Sequence, residues 1–317
     1  MKTIKLIAIL SFIAAISATG CSNSDMGVKV DTGDIEVEAN VDVDTGNIIV
    51  DTDMKDIKIG DLSVNIDDVI KYDKSHKAEA DFSFDTEKNV TSFEINLSVG
   101  NVIIEPSDSD KTTLDLEYTI FAETDAVCEQ VEGIVSAESE INGNTMMLKL
   151  VEKTSGEEIN KWLENNIPDC RVEYTANIAV PDYIKEYRAN CDVANISFRN
   201  ISGSVNGFVE VGNITCSSVE FTAPSEIKCA TGNILMCSGG VYSSDIEIST
   251  DTGSISMILP DSKSKGGNIN VSSKTGDVKF TGDESCKITE DEKKCKKLEV
   301  NSCNIEASVN TGNITIE

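Results

Sequence analysis

The chain has 317 residues, of which 26% are charged and 5% aromatic, and its formal net charge is −28. A surface this acidic repels the phosphates of nucleic acids and of anionic lipid headgroups, so we exclude a nucleic-acid-binding protein. The acidity is typical of an exported β protein that must stay soluble, and specific cation binding is the alternative interpretation.

The first twenty residues have the features of a bacterial lipoprotein signal peptide. Lys2 and Lys5 precede an apolar run over residues 6–18, which is too short to span a bilayer as a helix. The run ends in small residues directly before Cys21, and in lipoprotein signals such a cysteine becomes the lipidated first residue. We therefore predict a lipid-anchored protein at the cell membrane that faces outside the cytoplasm. An ordinary secretory signal cleaved near Ala18 is the alternative.

Composition and motifs divide the chain into four segments. They are a signal peptide (residues 1–20), a tether with N-terminal Gly-Asp/Asn-Ile repeats and a linker (residues 21–90), an irregular β region with one short helix (residues 91–187), and β-solenoid repeats (residues 188–317).

The irregular region shows alternation of polar and apolar residues, which predicts strands. Apolar residues at helical spacing predict its one short helix over residues 157–167. The predicted strands are residues 93–97, 102–104, 114–120, 145–151 and 171–180.

Ten cysteines are present, and export permits disulfides. Cys128 and Cys170 are candidates for a bond in the middle of the chain. Cys286 and Cys295 could close a charged insertion over residues 281–297, which we expect to be a loop leaving the body. There is no Cys-x-x-Cys pair and only one histidine, so we predict no metal site and no cofactor.

A short repeat is the dominant signal in the sequence. The tripeptide Gly, then Asn, Asp or Ser, then Ile, Val or Leu occurs eleven times in a chain with 21 glycines, far more often than chance allows. Its glycines are Gly33, Gly46, Gly60, Gly100, Gly203, Gly212, Gly232, Gly253, Gly267, Gly276 and Gly312.

The repeat has the chemistry of a sharp bend followed by a strand. Glycine permits positive φ, Asn or Asp can bond the local backbone, and the alternating Ile-x-Val places both apolar side chains on one face. We predict an all-β fold, a single-chain β-solenoid (β-helix) of about 20–23 residues per turn, because one such strand cannot bury its face alone. An antiparallel sandwich with glycine turns is the alternative. The predicted apolar column is Ile214, Ile234, Ile255, Ile269, Val278 and Ile314.

The layout resembles the "putative adhesin" family of bacterial β-strand-repeat proteins, whose function is largely unknown. Val99-Gly100-Asn101-Val102 is similar to the strand that opens these proteins, and Ile178-Ala179-Val180-Pro181 to the segment before their serial repeats. The resemblance covers about residues 93–317. It implies adhesion by analogy of fold, and it brings no catalytic residues to this chain.

We therefore expect a non-enzymatic, lipid-anchored surface protein, an adhesion or binding module that presents a solenoid face. Its partner would be an unidentified surface protein or glycan, and the chain would be a monomer whose last strand, residues 314–317, is an open edge. An envelope structural protein or a cation-responsive protein is one alternative. A polysaccharide-acting β-helix enzyme is another, although it needs paired carboxylates in an aromatic-lined groove, and no such pair stands out.

Changing Cys21→Ser removes the residue expected to carry lipid, so the protein should move into the aqueous phase of a detergent partition. Cys237→Ser, a change in another cysteine, should leave it in the detergent-rich phase. Wild-type protein found in the aqueous phase would contradict lipidation and favour the secretory alternative.

Overall fold

The structure, a computed structural model, describes four ranges of the chain and several short strands outside them. The described ranges are residues 74–237, 241–258, 268–280 and 304–316, without the side chains at 241–242, 268–271, 280 and 304, and elsewhere only the strands named below. Some residues singled out in the sequence fall outside this description, and the predictions for them stay predictions: the signal peptide, Cys21, Gly33, Gly46, Gly60, Gly267, Cys286 and the side chain of Cys295.

Before residue 74 the described strands form two small antiparallel sheets. The first has the order β1–β2–β3 and the second is a hairpin of β4 and β5. Their bounds are β1 Met26–Asp31, β2 Glu36–Asp44, β3 Asn47–Val50, β4 Asp56–Ile59 and β5 Leu62–Asn65.

Residues 74–181 are mostly β. They contain the strands expected from alternation, with residues 93–97 and 102–104 in one strand, and two strands that were not expected, at residues 74–85 and 135–142. The elements are β6 Lys74–Asp85, β7 Ser92–Ser107, β8 Lys111–Ala122, α1 Asp125–Glu132, β9 Val135–Asn142, β10 Thr145–Glu152, α2 Ile159–Asn166 and β11 Arg171–Pro181.

The region contains two helices, so the prediction of a single one is wrong. α2 is the predicted helix. α1 was not predicted, although its apolar residues Val127, Cys128 and Val131 have helical spacing. The hydroxyl of Thr124 caps α1 by accepting from the backbone N of Val127 (3.3 Å). In the described part of the chain, no helix is long and apolar enough to cross a membrane.

β6 lies where the sequence was interpreted as a linker, and that interpretation is wrong for residues 74–85. The strand pairs with β8 along its whole length, from Lys74 opposite Ala122 to Asp85 opposite Lys111. Its inward side chains are small or aromatic and only half-buried, and charged residues alternate with them. The high local charge concealed this two-residue period.

The remaining strands follow β11 and are predominantly short and parallel. They are β12 Glu186–Arg199, β13 Ser202–Ser217, β14 Glu220–Phe221, β15 Ser225–Thr231, β16 Ile234–Met236, β17 Val241–Tyr242, β18 Ile246–Thr252, β19 Ile255–Met257, β20 Asn268–Thr275, β21 Val278–Phe280, β22 Thr289–Asp291, β23 Cys295–Glu299, β24 Asn304–Thr311 and β25 Ile314–Ile316.

One large mixed sheet joins β6 to β25, and β7 is its branch point. β12 pairs with β7 in parallel on both sides of Gly100. On the other edge of β7, residues 92–95 pair with β10, whereas residues 101–107 pair with β11. β7 therefore carries two antiparallel extensions, β10–β9 and β11–β8–β6, that separate at the bend.

Beyond β12 the strands stack in parallel register and bury one apolar row. Five of the six predicted column residues share this row, and each is at most 8% exposed. Burying such a side chain stabilises the fold by about 1.5–3 kcal/mol. Ile269 was misplaced, because it lies opposite Ile305 in a neighbouring row. The confirmed row is Ile214, Ile234, Ile255, Ile314 and Val278.

The last repeat units do not stack in chain order. We name residues 246–257 the host unit, residues 268–280 the penultimate unit and residues 304–316 the final unit. The final unit lies between the other two, with β24 between β18 and β20 and β25 between β19 and β21. The expectation that the last strand is an open edge is therefore wrong. The insertion also returns to the body, because β23 pairs antiparallel with β20.

The bends beyond β12 require glycine for two reasons. Gly212, Gly232 and Gly253 have φ between +142° and +144°, which other residues rarely adopt. An added Cβ at Gly232 would also lie 1.6 Å from the carbonyl oxygen of Gly212. Gly203 has φ +151° and forms a separate bend, where a Cβ would lie 2.0 Å from the carbonyl oxygen of Lys185.

Gly232→Ala should lower the free energy of unfolding by at least about 3 kcal/mol, because it combines a forbidden φ with a steric clash against backbone. The matched control is Gly143→Ala, where φ is +63° and no described atom lies within 4 Å of the added Cβ. Its cost should be about 1–2 kcal/mol. Urea unfolding of both variants measures the difference, and equal losses would contradict the close-approach explanation.

Candidate binding groove

A groove of about 570 Å³ crosses the sheet at the level of the first bends. Six neighbouring strands line it in the order β6, β8, β11, β7, β12, β13, and each contributes three consecutive residues. Because adjacent strands lie about 4.8 Å apart, the groove is about 24 Å long. It runs across the strands rather than along them.

The bend itself shapes the groove. In β7, β12 and β13 the lining residues are the bend residue and its two neighbours, and the bend residues are Gly100, Ala194 and Gly212. Before each of them comes a half-buried valine, and after each comes an asparagine. The lining therefore has an apolar row, Val99, Val193 and Val211, beside an amide row, Asn101, Asn195 and Asn213.

The amide row is held by a ladder of hydrogen bonds between strands. Asn195 Nδ2 donates to Asn101 Oδ1 (2.9 Å), and Asn213 Nδ2 donates to Asn195 Oδ1 (2.8 Å). The backbone N of Asn213 donates to the same Asn195 oxygen (3.1 Å). The ladder extends past the groove, since Asn233 donates to Asn213 in the same two ways. These side chains are fixed before any ligand arrives.

The end of the groove on β6, β8 and β11 is charged. Glu79 and Glu117 lie directly opposite each other on adjacent strands, an arrangement that is unfavourable between like charges. Lys77 and Glu173 also line this end, and Arg171 forms an ion pair with Glu173. Carboxylates therefore dominate one end, and valines and amides the other.

The tyrosines and cysteines near the groove have protonated side chains that face the core. Burial raises the pKa of Tyr118 and Tyr174, and the hydroxyl of Tyr118 donates to the carbonyl oxygen of Glu132 (3.3 Å). Burial likewise raises the pKa of Cys191 to about 12 and that of Cys229 to about 11. These thiols stay protonated at neutral pH, and a protonated thiol is a poor nucleophile.

No protein-family model matches the sequence, and no curated protein matches it. Solved structures do resemble the chain. A "putative cell adhesion protein" of Clostridium sporogenes is 12% identical, with a TM-score of 0.33, and the match covers 77% of this chain and 99% of that one. A "putative adhesin" of Bacteroides fragilis is 13% identical, with a TM-score of 0.37, over 76% of this chain and 97% of that one.

A third structure, a "putative lipid binding protein" of Parabacteroides distasonis, is 11% identical, with a TM-score of 0.32, and covers 76% of this chain and 96% of that one. Proteins described as adhesins are thus among the structural neighbours. This agrees with the resemblance stated from the sequence.

Only some of the glycines that the repeat identified line the groove. Gly100 and Gly212 line it, whereas Gly203 lies at another bend and Gly232, Gly253, Gly276 and Gly312 continue the stack beyond it. Within the described ranges, no cluster of His, Cys, Asp and Glu could hold a metal ion.

Cys128 and Cys170 are buried free thiols in this structure, and their disulfide stays a prediction. They lie in the same part of the core. Both lie close to Ile120 of β8. The Cys128 thiol faces the carbonyl oxygen of Ile120 at 3.9 Å. Cys170 directly precedes β11, in which Val172 lies opposite Ile120.

Sequence reasoning missed the valine row. A signal for it exists, because Val precedes the bend in Val99-Gly100-Asn101 and Val211-Gly212-Asn213, whereas Thr precedes Gly232, Gly253, Gly276 and Gly312. Val211 on β13 lies opposite Thr231 on β15, so the row changes from valine to threonine directly after the last strand of the groove. That change, rather than the repeat itself, marks the site.

Asn195→Ala should lower the free energy of unfolding by about 1–2 kcal/mol, because it removes three hydrogen bonds at the surface, each worth about 0.5 kcal/mol there. The matched control is Asn190→Ala on the same strand, since the side chain of Asn190 donates a single hydrogen bond, from Nδ2 to Asn96 Oδ1 (2.9 Å). Its cost should be about 1 kcal/mol or less. If urea unfolding gives the same loss for both, the ladder adds nothing to stability.

Proposed function

We propose that this protein is a non-enzymatic binding module anchored by lipid to the outer side of the cell membrane. We also propose that its parallel repeat units are successive turns of a β-solenoid. The observation that carries the proposed function is the groove across six strands, whose amide row is already fixed by hydrogen bonds. A preformed surface of this kind binds with little cost of ordering.

Repeated parallel register supports the solenoid. Ile214, Ile234 and Ile255 lie opposite one another on β13, β16 and β19, and each step between them follows a glycine bend. The chain thus returns to the same position about every 20 residues, as in repeat proteins in which each unit contacts only its neighbours.

The shape of the groove favours an extended partner. A length of about 24 Å accommodates about seven residues of an extended peptide. The valine row offers apolar contacts to alternate side chains of such a peptide, and the amide row offers hydrogen bonds to its backbone.

The lining also favours a peptide over a glycan. Sugar-binding grooves commonly present aromatic faces, but Tyr118 and Tyr174 turn their rings into the core. An anionic partner is disfavoured by Glu79 and Glu117 at one end. We therefore propose an extended, non-anionic segment of a surface protein as the partner, bound by a monomer of this chain.

Blocking the centre of the groove tests this function. Val193→Trp places a large side chain in the middle of the apolar row, whereas Leu235→Trp adds the same side chain at an exposed position outside the lining. The full chain in detergent is used to select peptides from a displayed random heptapeptide library. Peptides that bind the wild type and Leu235→Trp should be retained in at least tenfold smaller amounts by Val193→Trp.

Two outcomes would change the proposal. If Val193→Trp retains the same peptides, the groove is not the binding surface. If cell-wall glycan fractions, but no peptides, bind in a manner sensitive to Val193→Trp, the groove remains the site and the peptide assignment is wrong. Urea unfolding of each variant checks that the fold is intact.

A further inference from the structure

The final and penultimate units are structural equivalents. Their sequences align at a constant offset of 36 residues, with Asn304 matching Asn268 and Gly312 matching Gly276. The two units pair in parallel along their length with these same positions opposite each other. Each unit therefore offers the same backbone shape and the same glycine bend to a neighbour.

The final unit fills a slot between two units that precede it in the chain. On the host side, the backbone N of Gly253 donates to the carbonyl oxygen of Thr311 (2.9 Å). On the other side, the backbone N of Gly312 donates to the carbonyl oxygen of Thr275 (2.8 Å). The unit is thus hydrogen-bonded on both edges, although it comes last in the sequence.

The bend contact of the host unit does not distinguish the final unit from the penultimate one. The final unit places Thr311 opposite Thr252, and the penultimate unit has the same Thr-Gly pair at its own bend. The units differ at the buried position opposite Thr250, which is Val309 in the final unit and Ser273 in the penultimate one. Opposite Asp251, the final unit places Asn310, whose Nδ2 donates to the aspartate at 2.6 Å. The penultimate unit would place Lys274 there, which suits a carboxylate equally well.

We propose that the final unit is exchangeable, and that its slot accepts the same unit from a second copy of this chain. Residues 281–303, a stretch of 23 residues, separate the two equivalent units. Exchange of identical elements between copies replaces every contact with its counterpart, so it costs little free energy. A monomer is favoured in dilute solution, where the chain's own unit has the higher effective concentration.

The bend gives this exchange a strict steric requirement. An added Cβ at Gly312 would lie 1.6 Å from the carbonyl oxygen of Gly253, so an inserted segment needs glycine at that position. A segment with alanine there keeps its charge, its length and nearly all of its apolar surface. It is therefore a matched control for insertion at the slot.

Peptide uptake by the full chain in detergent tests the proposal by native mass spectrometry. The chain is held briefly in sub-denaturing urea with a synthetic peptide of residues 304–316 and then returned to buffer. We expect one peptide per chain, with uptake at least tenfold above that of the Gly312→Ala peptide. A peptide of residues 268–280 should also be taken up, because it has the same register.

Exchange between copies is also measured by native mass spectrometry, first without peptide and then with peptide as a competitor. A mixture of ¹⁴N- and ¹⁵N-labelled chains should give mixed dimers whose yield rises with protein concentration and falls when the peptide of residues 304–316 is present. Equal uptake of the wild-type and Gly312→Ala peptides would overturn the proposal, as would an absence of mixed dimers. Neither result depends on the groove, so both are independent of the proposed function.

Discussion

The fold depends on how closely its backbones approach at the bends. From Gly212 to Gly253, the carbonyl oxygen of one bend occupies the space that a Cβ on the next bend would need. A slip of one residue would bring a side chain to that position, so the register of the whole stack is set by exclusion as much as by attraction. The buried isoleucine row supplies the free energy, but apolar contact is not directional and could not choose the register alone.

The same bend also produces the groove. In β12 the buried positions are Ala189 and Cys191 before the bend and Ala194 and Ile196 after it, so the alternation shifts by one residue there. Val193 and Asn195 flank the inward Ala194 and reach the outer surface, and the oxygens of Asn195 and Asn213 accept from the backbone of the next strand. The stacking of the strands and the lining of the groove therefore share one determinant, and a change at a bend affects both.

The repeat sequence reveals the strands, the bends and most of the buried row, because each unit carries its own local chemistry. It does not reveal the order of the last two units, since residues 268–280 and residues 304–316 have the same pattern of strand, glycine bend and strand. β6 was not predicted, because its many charged residues obscure the alternation of inward and outward side chains. The groove could be located only with the register in hand, because its lining comes from residues more than a hundred positions apart, such as Glu79 and Asn213.

β7 belongs to both extensions of the sheet, and the groove lies on β7, β12, β13 and the strands beside β7. Everything after β13 adds to the far end of the stack. The length of the stack and the lining of the groove are therefore set by separate stretches of the chain. Duplication or loss of a whole unit after β13 would lengthen or shorten the stack stepwise and leave the lining of the groove unchanged.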